Sequence, residues 1–296
     1  MRSWFSVLLL TFGFTAAAVA EEVTLTHDGL TLNANLEKVA GNWPAGPVVL
    51  MTHGTLAYGG MEIMRGLQSM LKERGLSSLA VTLSLGVDNR HGMYDCAVPH
   101  RHKHTDAVAE IGAWAAWLKT QGVQRLALLG HSRGGNQTAR YAASVEDPGI
   151  VAVFLLAPQT WDAQAAARDY EQRYGTELAG VLHKAQAMVA AGQGDTLLDP
   201  VDFIYCDQAR ATATAFVSYY GADPDMDTPH IVPRIPYPVT VFAGSEDTVV
   251  AGLIDKMAPL ADDERVRLQV IDGAEHFFRD LYSEEIADAV ADQLNP

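Results

Sequence analysis

Short apolar runs alternate along the chain with segments in which apolar side chains return every three or four positions, the pattern of strands feeding helices that pack on one sheet. Residues 23–26 and 30–36, separated by His27-Asp28-Gly29, predict an opening hairpin. Runs at 48–51, 79–85, 126–129, 150–156, 239–243 and 266–271 predict further strands, with 79–85 as the fourth. Met61, Met64, Leu67 and Leu71 fall at helical spacing and predict the first helix that packs on the sheet. Val108, Ile111, Ala115 and Leu118 repeat that stripe, with Thr105 as N-cap and Gly122 after the last turn. Residues 136–143 and 283–294 complete the predicted helices of an α/β chain.

Between Pro158 and Pro238 the alternation stops. Residues 163–191, rich in Ala, Gln and Glu, read as helical, Gly192-Gln193-Gly194-Asp195 breaks them, and 209–220 predict another helix. One α/β domain with an insertion accounts for a chain of 296 residues.

The formal net charge of −15 argues against nucleic acid or an anionic membrane as partner. At the N-terminus, Met1-Arg2 is positive, residues 4–14 are mainly apolar, and Ala18-Val19-Ala20 supplies the small residues of a cleavage site. Residues 1–20 therefore read as a secretory signal peptide and the protein as secreted or periplasmic. No later run approaches the length of a transmembrane helix. The two cysteines, Cys96 and Cys206, are an even count in an exported chain and predict a disulfide, although sequence leaves their proximity open.

The chemistry centres on Gly130-His131-Ser132-Arg133-Gly134, which follows the run 126–129 and precedes a helical segment. A strand, a sharp turn and a helix in this order describe a nucleophile elbow, with Ser132 exposed at the turn and glycines where side chains would collide. Downstream, Gly244-Ser245-Glu246-Asp247 places a carboxylate beyond one strand, and Gly273-Ala274-Glu275-His276 places an imidazole beyond the last. A serine hydroxyl needs a base that titrates near neutrality, and that base needs a carboxylate on its far nitrogen. Ser132, His276 and Asp247 fill those roles, with Glu246 and Asp272 as rivals for the third.

With these residues in the order serine, acid, histidine, the chain resembles the α/β-hydrolase superfamily from about residue 21 onward. The resemblance implies a mostly parallel sheet with helices on both faces, formed by residues 21–160 and 236–296. It also implies a helical cap at 161–235 over the site. Thr52-His53-Gly54-Thr55, after the third strand, matches the loop that supplies one oxyanion-hole N–H. That donor is assigned to the amide of Thr55 in preference to Leu56, and its companion to the amide of Arg133. His53 reads as a brace for this loop, and the Arg133 side chain as reaching solvent or a neighbouring carboxylate. Trp161, Phe203, Tyr205, Tyr219 and Tyr220 are candidates for lining a pocket or for packing the cap's own core.

The function expected is cleavage of a carboxylic ester through a covalent acyl-enzyme. An amidase or aminopeptidase would use the same triad, and a non-catalytic binding protein on the same fold is the alternative of another class. The partner is a small-molecule ester or amide; serine acyl transfer needs no organic cofactor, and no nucleotide loop or flavin fingerprint is present. His91, His100, His102 and His104, near Asp95 and Cys96, match no tight zinc spacing, and the interleaved Arg101 and Lys103 suggest a solvated or substrate-contacting loop without metal. Asp223, Asp225 and Asp227 lack the glycine and closing glutamate of a calcium loop and read as an acidic turn.

Overall fold

The computed structural model describes residues 20–295; the predicted signal peptide lies, apart from Ala20, outside the described residues. The opening hairpin pairs β1 (Glu21–His27) with β2 (Leu30–Glu37). Then β3 (Val48–Thr52), α1 (Glu62–Glu73), β4 (Ser77–Thr82), α2 (Asp106–Thr120), β5 (Leu126–His131), α3 (Arg133–Ser144) and β6 (Ile150–Leu156) alternate as the periodicity predicts. The eight-stranded sheet has the order β1-β2-β4-β3-β5-β6-β9-β10, where β9 is Val239–Gly244 and β10 is Val266–Ile271. Only the pairings of β1 with β2 and β2 with β4 are antiparallel; all others are parallel. The last helix of this layer, α9 (Leu281–Leu294), packs with α1, while α2 packs with α3.

Strands β3 and β5 are buried at every position, because helices cover a parallel sheet from both sides. Their ends matter most: β4 and β5 flank β3 on opposite sides, so the strand order reverses there and a crevice opens beyond the carboxyl ends. Two boundaries differ from expectation. The fourth strand stops at Thr82, and Leu83–Leu85 continue as loop. Thr105 makes no capping bond; instead the Asp106 carboxylate accepts from the Lys103 amide, which turns the chain into α2.

The insertion between β6 and β9 is not wholly helical. It holds α4 (Ala163–Tyr174), α5 (Leu178–Ala190), β7 (Leu197–Phe203), β8 (Cys206–Thr212) and α6 (Ala213–Tyr220). Short helices α7 (Thr228–Ile231) and α8 (Leu253–Met257) flank β9. Asp162 caps α4 by accepting from the Ala165 amide, and Gly175 at φ 67° ends it, dividing the predicted 163–191 helix in two. Residues 209–212, read as helix from their alanines, pair instead with β7, because alternate positions Ala209 and Ala211 face an apolar cluster of the insertion. That cluster includes Leu56 and Tyr94 from loops of the main sheet, so the insertion is seated on the sheet's carboxyl end. Cys96 and Cys206 form a disulfide, with Cα atoms 5.4 Å apart, that ties the loop after β4 to β8. Among the described residues no helix is long and apolar enough to cross a membrane.

Candidate active site

Strand β5 ends at His131 and α3 begins at Arg133, so Ser132 alone makes the turn, at φ 57° and ψ −124°. A non-glycine residue in that region costs about 1–3 kcal/mol, which the surrounding packing must offset. Glycine permits that packing: a Cβ on Gly130 would lie 2.5 Å from the Gly134 carbonyl oxygen, and one on Gly134 2.7 Å from that of Thr52. The side chains that would separate α3 from β3 and β5 are absent, and the serine is held up at the crevice.

The structure brings the three sequence-predicted residues into one line. Ser132 Oγ lies 2.9 Å from His276 Nε2, and His276 Nδ1 lies 2.8 Å from Asp247 Oδ2. Asp247 Oδ1 also accepts from the amides of Val249 at 2.7 Å and Val250 at 3.2 Å. Burial by itself would raise this carboxyl, but the bonds from His276 and the two amides hold it below the usual carboxylate range. An ionised Asp247 fixes the imidazole as the tautomer with hydrogen on Nδ1, leaving Nε2 free to accept from serine. The rivals stand elsewhere: Glu246 makes no bond to His276, and Asp272 Oδ1 accepts from Ser245 Oγ at 3.3 Å.

The loop after β3 lies beside the serine, with a Cβ on Gly54 placed 3.2 Å from Ser132 Cβ. His53 beneath it is neutral, pushed down to about 3 by burial and by Arg90. Its Nδ1 donates to the Gly54 carbonyl at 2.8 Å, and its Nε2 accepts from the Leu83 amide at 3.0 Å. Arg90 donates to the carbonyls of Leu83, Gly92 and Ala57, so this pair ties the loop after β3 to the loop after β4. The amides of Thr55 and Arg133 donate to no acceptor among the described residues. For Arg133 this follows from its place in the first turn of a helix.

The histidine segment is a correction. His100, His102 and His104 are buried while Arg101 and Lys103 between them are exposed, so the segment is an extended stretch with one face inward. His100 exchanges backbone bonds with β8, donating to Arg210 O and accepting from the Thr212 amide. Its ring meets His102 at 3.2 Å, and His102 Nδ1 meets the Tyr219 hydroxyl at 2.7 Å. Burial pushes His100 to about 4 and His102 to about 3. His91 is apart from them, beside Glu22 at 3.0 Å. Among the described residues no three His, Cys, Asp or Glu side chains are grouped to hold a metal.

Two contacts had no sequence signal of their own, the approach of His131 to His276 and that of Asn136 to His104. Arg133 is partly exposed, meets no carboxylate among the described residues, and donates from Nε to Thr55 Oγ1 at 3.0 Å. Of the pocket candidates, Phe203 and Tyr219 lie inside the insertion's apolar cluster with Tyr220 against them. Tyr205 is exposed under the Arg173 guanidinium, and Trp161 is partly exposed beside Asp227, to which its amide donates. The acidic turn is paired: Asp223 with Arg140 at 2.5 Å, Asp225 with Arg234, and Asp227 with Lys256 at 2.8 Å.

The fold is similar to that of several solved hydrolases. Est1E from Butyrivibrio proteoclasticus is 18% identical, with 94% of this chain and 100% of that chain covered and a TM-score of 0.62. GrgF, an alpha/beta hydrolase from Penicillium, is 18% identical over 93% of this chain and 97% of its own, with a TM-score of 0.66. The monoacylglycerol lipase of Paleococcus ferrophilus is 18% identical over 89% of this chain and 98% of its own, with a TM-score of 0.60. No curated protein sequence matches significantly. Residues 48–292, which carry the elbow, the carboxylate and the histidine, match the sequence model of the alpha/beta hydrolase family, and the chain belongs to that family.

Proposed function

We propose that the protein is an exported serine hydrolase that cleaves a carboxylic ester through an acyl-enzyme. The observation that carries this reading is the unbroken line from Ser132 Oγ through His276 to Asp247, at 2.9 and 2.8 Å. His276 Nε2 takes the hydroxyl proton as Ser132 Oγ attacks the ester carbonyl, and Asp247 stabilises the imidazolium that results. The amides of Thr55 and Arg133 receive the charge that develops on the carbonyl oxygen, a contribution of about 3–4 kcal/mol per donor in comparable enzymes. Collapse of the tetrahedral intermediate expels the alcohol with the proton from His276. Water, deprotonated by the same imidazole, then releases the acid and restores Ser132.

An ester is favoured over an aminoacyl amide because the three clustered aspartates that could grip a free α-amino group are already engaged. Asp223, Asp225 and Asp227 of the insertion are already paired with Arg140, Arg234 and Lys256. The bond between Cys96 and Cys206 supports an oxidising compartment, in agreement with the N-terminal export pattern.

The test is intact mass after brief exposure to a fluorophosphonate, wild type beside Ser132→Ala, followed by initial rates on matched ester and aminoacyl-amide substrates. One adduct on wild type alone, with faster ester turnover, is expected. A folded wild type that takes no adduct overturns the hydrolase reading, and a requirement for a free α-amino group overturns the ester assignment.

A further inference from the structure

Next to Ser132, the Arg133 side chain is held in place by a chain of bonds with no freedom of assignment. Asn136 Nδ2 faces three acceptors, the carbonyls of Asp225 and Met226 at 2.9 and 3.2 Å and Thr228 Oγ1 at 3.1 Å. Its Oδ1 must therefore be the atom that meets His104 Nε2 at 2.8 Å, and that nitrogen must donate. His104 Nδ1 is left with a lone pair, which accepts from Arg133 Nη1 at 3.3 Å. Burial keeps this imidazole neutral, with Arg133 acting in the same direction. Arg133 Nε donates to Thr55 Oγ1, and the guanidinium lies over the Tyr219 ring with its carbon 5.0 Å from the centroid.

The guanidinium is therefore fixed by neutral groups alone. Arg74, Arg140 and Arg234 find carboxylates, and Arg90, more deeply buried and without one among the described residues, donates to three main-chain carbonyls instead. Among the described residues Arg133, half-buried, forms no ion pair, and three of its five N–H groups have no acceptor there. A partly desolvated cation without a countercharge is unfavourable unless something else supplies the anion. A planar fork fixed in this way matches the two oxygens of a carboxylate.

We propose that Arg133 is the specificity-determining residue of the site and that it pairs with a carboxylate carried by the substrate. The preferred ester is then an anionic one, with its carboxylate a few atoms from the scissile carbonyl. This rests on the hydrolase reading above and narrows its substrate class. The Arg133 amide serves the reacting oxygen whichever side chain is present, so the two contributions of this residue are separable by substitution.

The experiment compares kcat/KM on two matched pairs. One is the 4-nitrophenyl hemiester of glutaric acid against its methyl-capped diester, with the charge on the acyl side. The other is 4-acetoxybenzoate against its methyl ester, with the charge on the leaving group. For at least one pair, wild type is expected to prefer the anion by about tenfold or more, the worth of a hydrogen bond to a charged group. Arg133→Met should abolish that preference mainly through KM, and Arg133→Lys, which keeps the charge without the fork, should retain part of it. Should Arg133→Met fail to fold, loss of the wild-type preference in raised salt reads the same interaction. Neutral esters preferred in both pairs, or an anion preference that survives Arg133→Met, overturns the proposal. Fluorophosphonate labelling of Ser132 in the same preparations separates the two readings. A wild type that is labelled but shows no anion preference sinks this proposal alone, and one that is not labelled sinks both.

Discussion

His131 Nε2 donates to the main-chain carbonyl of His276 at 2.9 Å, with the two rings 4.9 Å apart. The residue before Ser132 thus fixes the backbone of the residue that bonds to Ser132. His131 is fully buried, and burial pushes it down to about 4, so it is neutral and has one hydrogen to give. That hydrogen joins the end of β5 to the loop after β10, which no strand pairing connects.

Replacing His131 with Phe keeps the ring volume and removes the donor. The His276 carbonyl is then left unsatisfied, at a cost of about 1–3 kcal/mol. The urea midpoint should fall accordingly, and kcat should drop more than KM changes, because the base loses its position. His131→Gln, which restores a donor, should recover part of kcat. Equal activity of the Phe and Gln variants would show that the bond does not position His276.

Asp247→Asn should lower kcat by about 10³–10⁴-fold while leaving the fold intact, since an amide still fills the space but favours the wrong tautomer of His276. Asp272→Asn and Glu246→Gln should cost little, because neither side chain reaches the imidazole. A loss in Asp272→Asn as large as that in Asp247→Asn would move the carboxylate role to the other loop.

The legible parts of the sequence were those where one physical demand dominates. Strands such as Val239–Gly244 are buried on both faces and read as plain apolar runs. The elbow was legible because close crossing of α3 over β3 and β5 leaves only glycine at 130 and 134. At the histidine segment Arg101 and Lys103 suggest a solvated loop and mask a stronger signal. His-Arg-His-Lys-His is itself a period of two, and that alternation marks an extended segment with its histidines inward. The hairpin of β7 and β8 is hidden by register shifts, which break the alternation between Leu198 and Val201 in β7 and between Cys206 and Ala209 in β8. The chain from Asn136 through His104 to Arg133 joins residues up to 32 positions apart through side-chain atoms, and no spacing rule encodes it.

Acid should destabilise the protein well before its carboxylates titrate. Burial holds His53 and His102 at about 3 and His100 and His131 at about 4, against an ordinary 6.5. Between pH 6.5 and about 4 the unfolded chain binds protons that the folded chain refuses. Stability is therefore complete above pH 6.5 and declines as pH falls through that window, by at most ~1.4 kcal/mol per pH unit for each such histidine. Urea midpoints at pH 7, 5.5 and 4.5 should fall in that order. A midpoint that is flat from 7 to 4.5 would mean that these imidazoles accept protons in the folded state.

On the proposed reading the disulfide supports the Arg133 side of the site more than Ser132. It joins Cys96 to Cys206 across 110 positions, and a loop of that length is worth about 4–5 kcal/mol in the chain-entropy model, less any strain. Ser132, Asp247 and His276 follow β5, β9 and β10, and none of them lies on the tied segments. His100, by contrast, bonds to β8 four residues beyond Cys206, and His104, four residues beyond His100, holds Arg133. The Cys96→Ser/Cys206→Ser double variant should therefore melt at a lower temperature yet still take the fluorophosphonate on Ser132. Its preference for anionic over neutral esters should shrink as the histidine segment loosens. Loss of labelling at a temperature where the variant is folded would show instead that the bond supports the nucleophile itself.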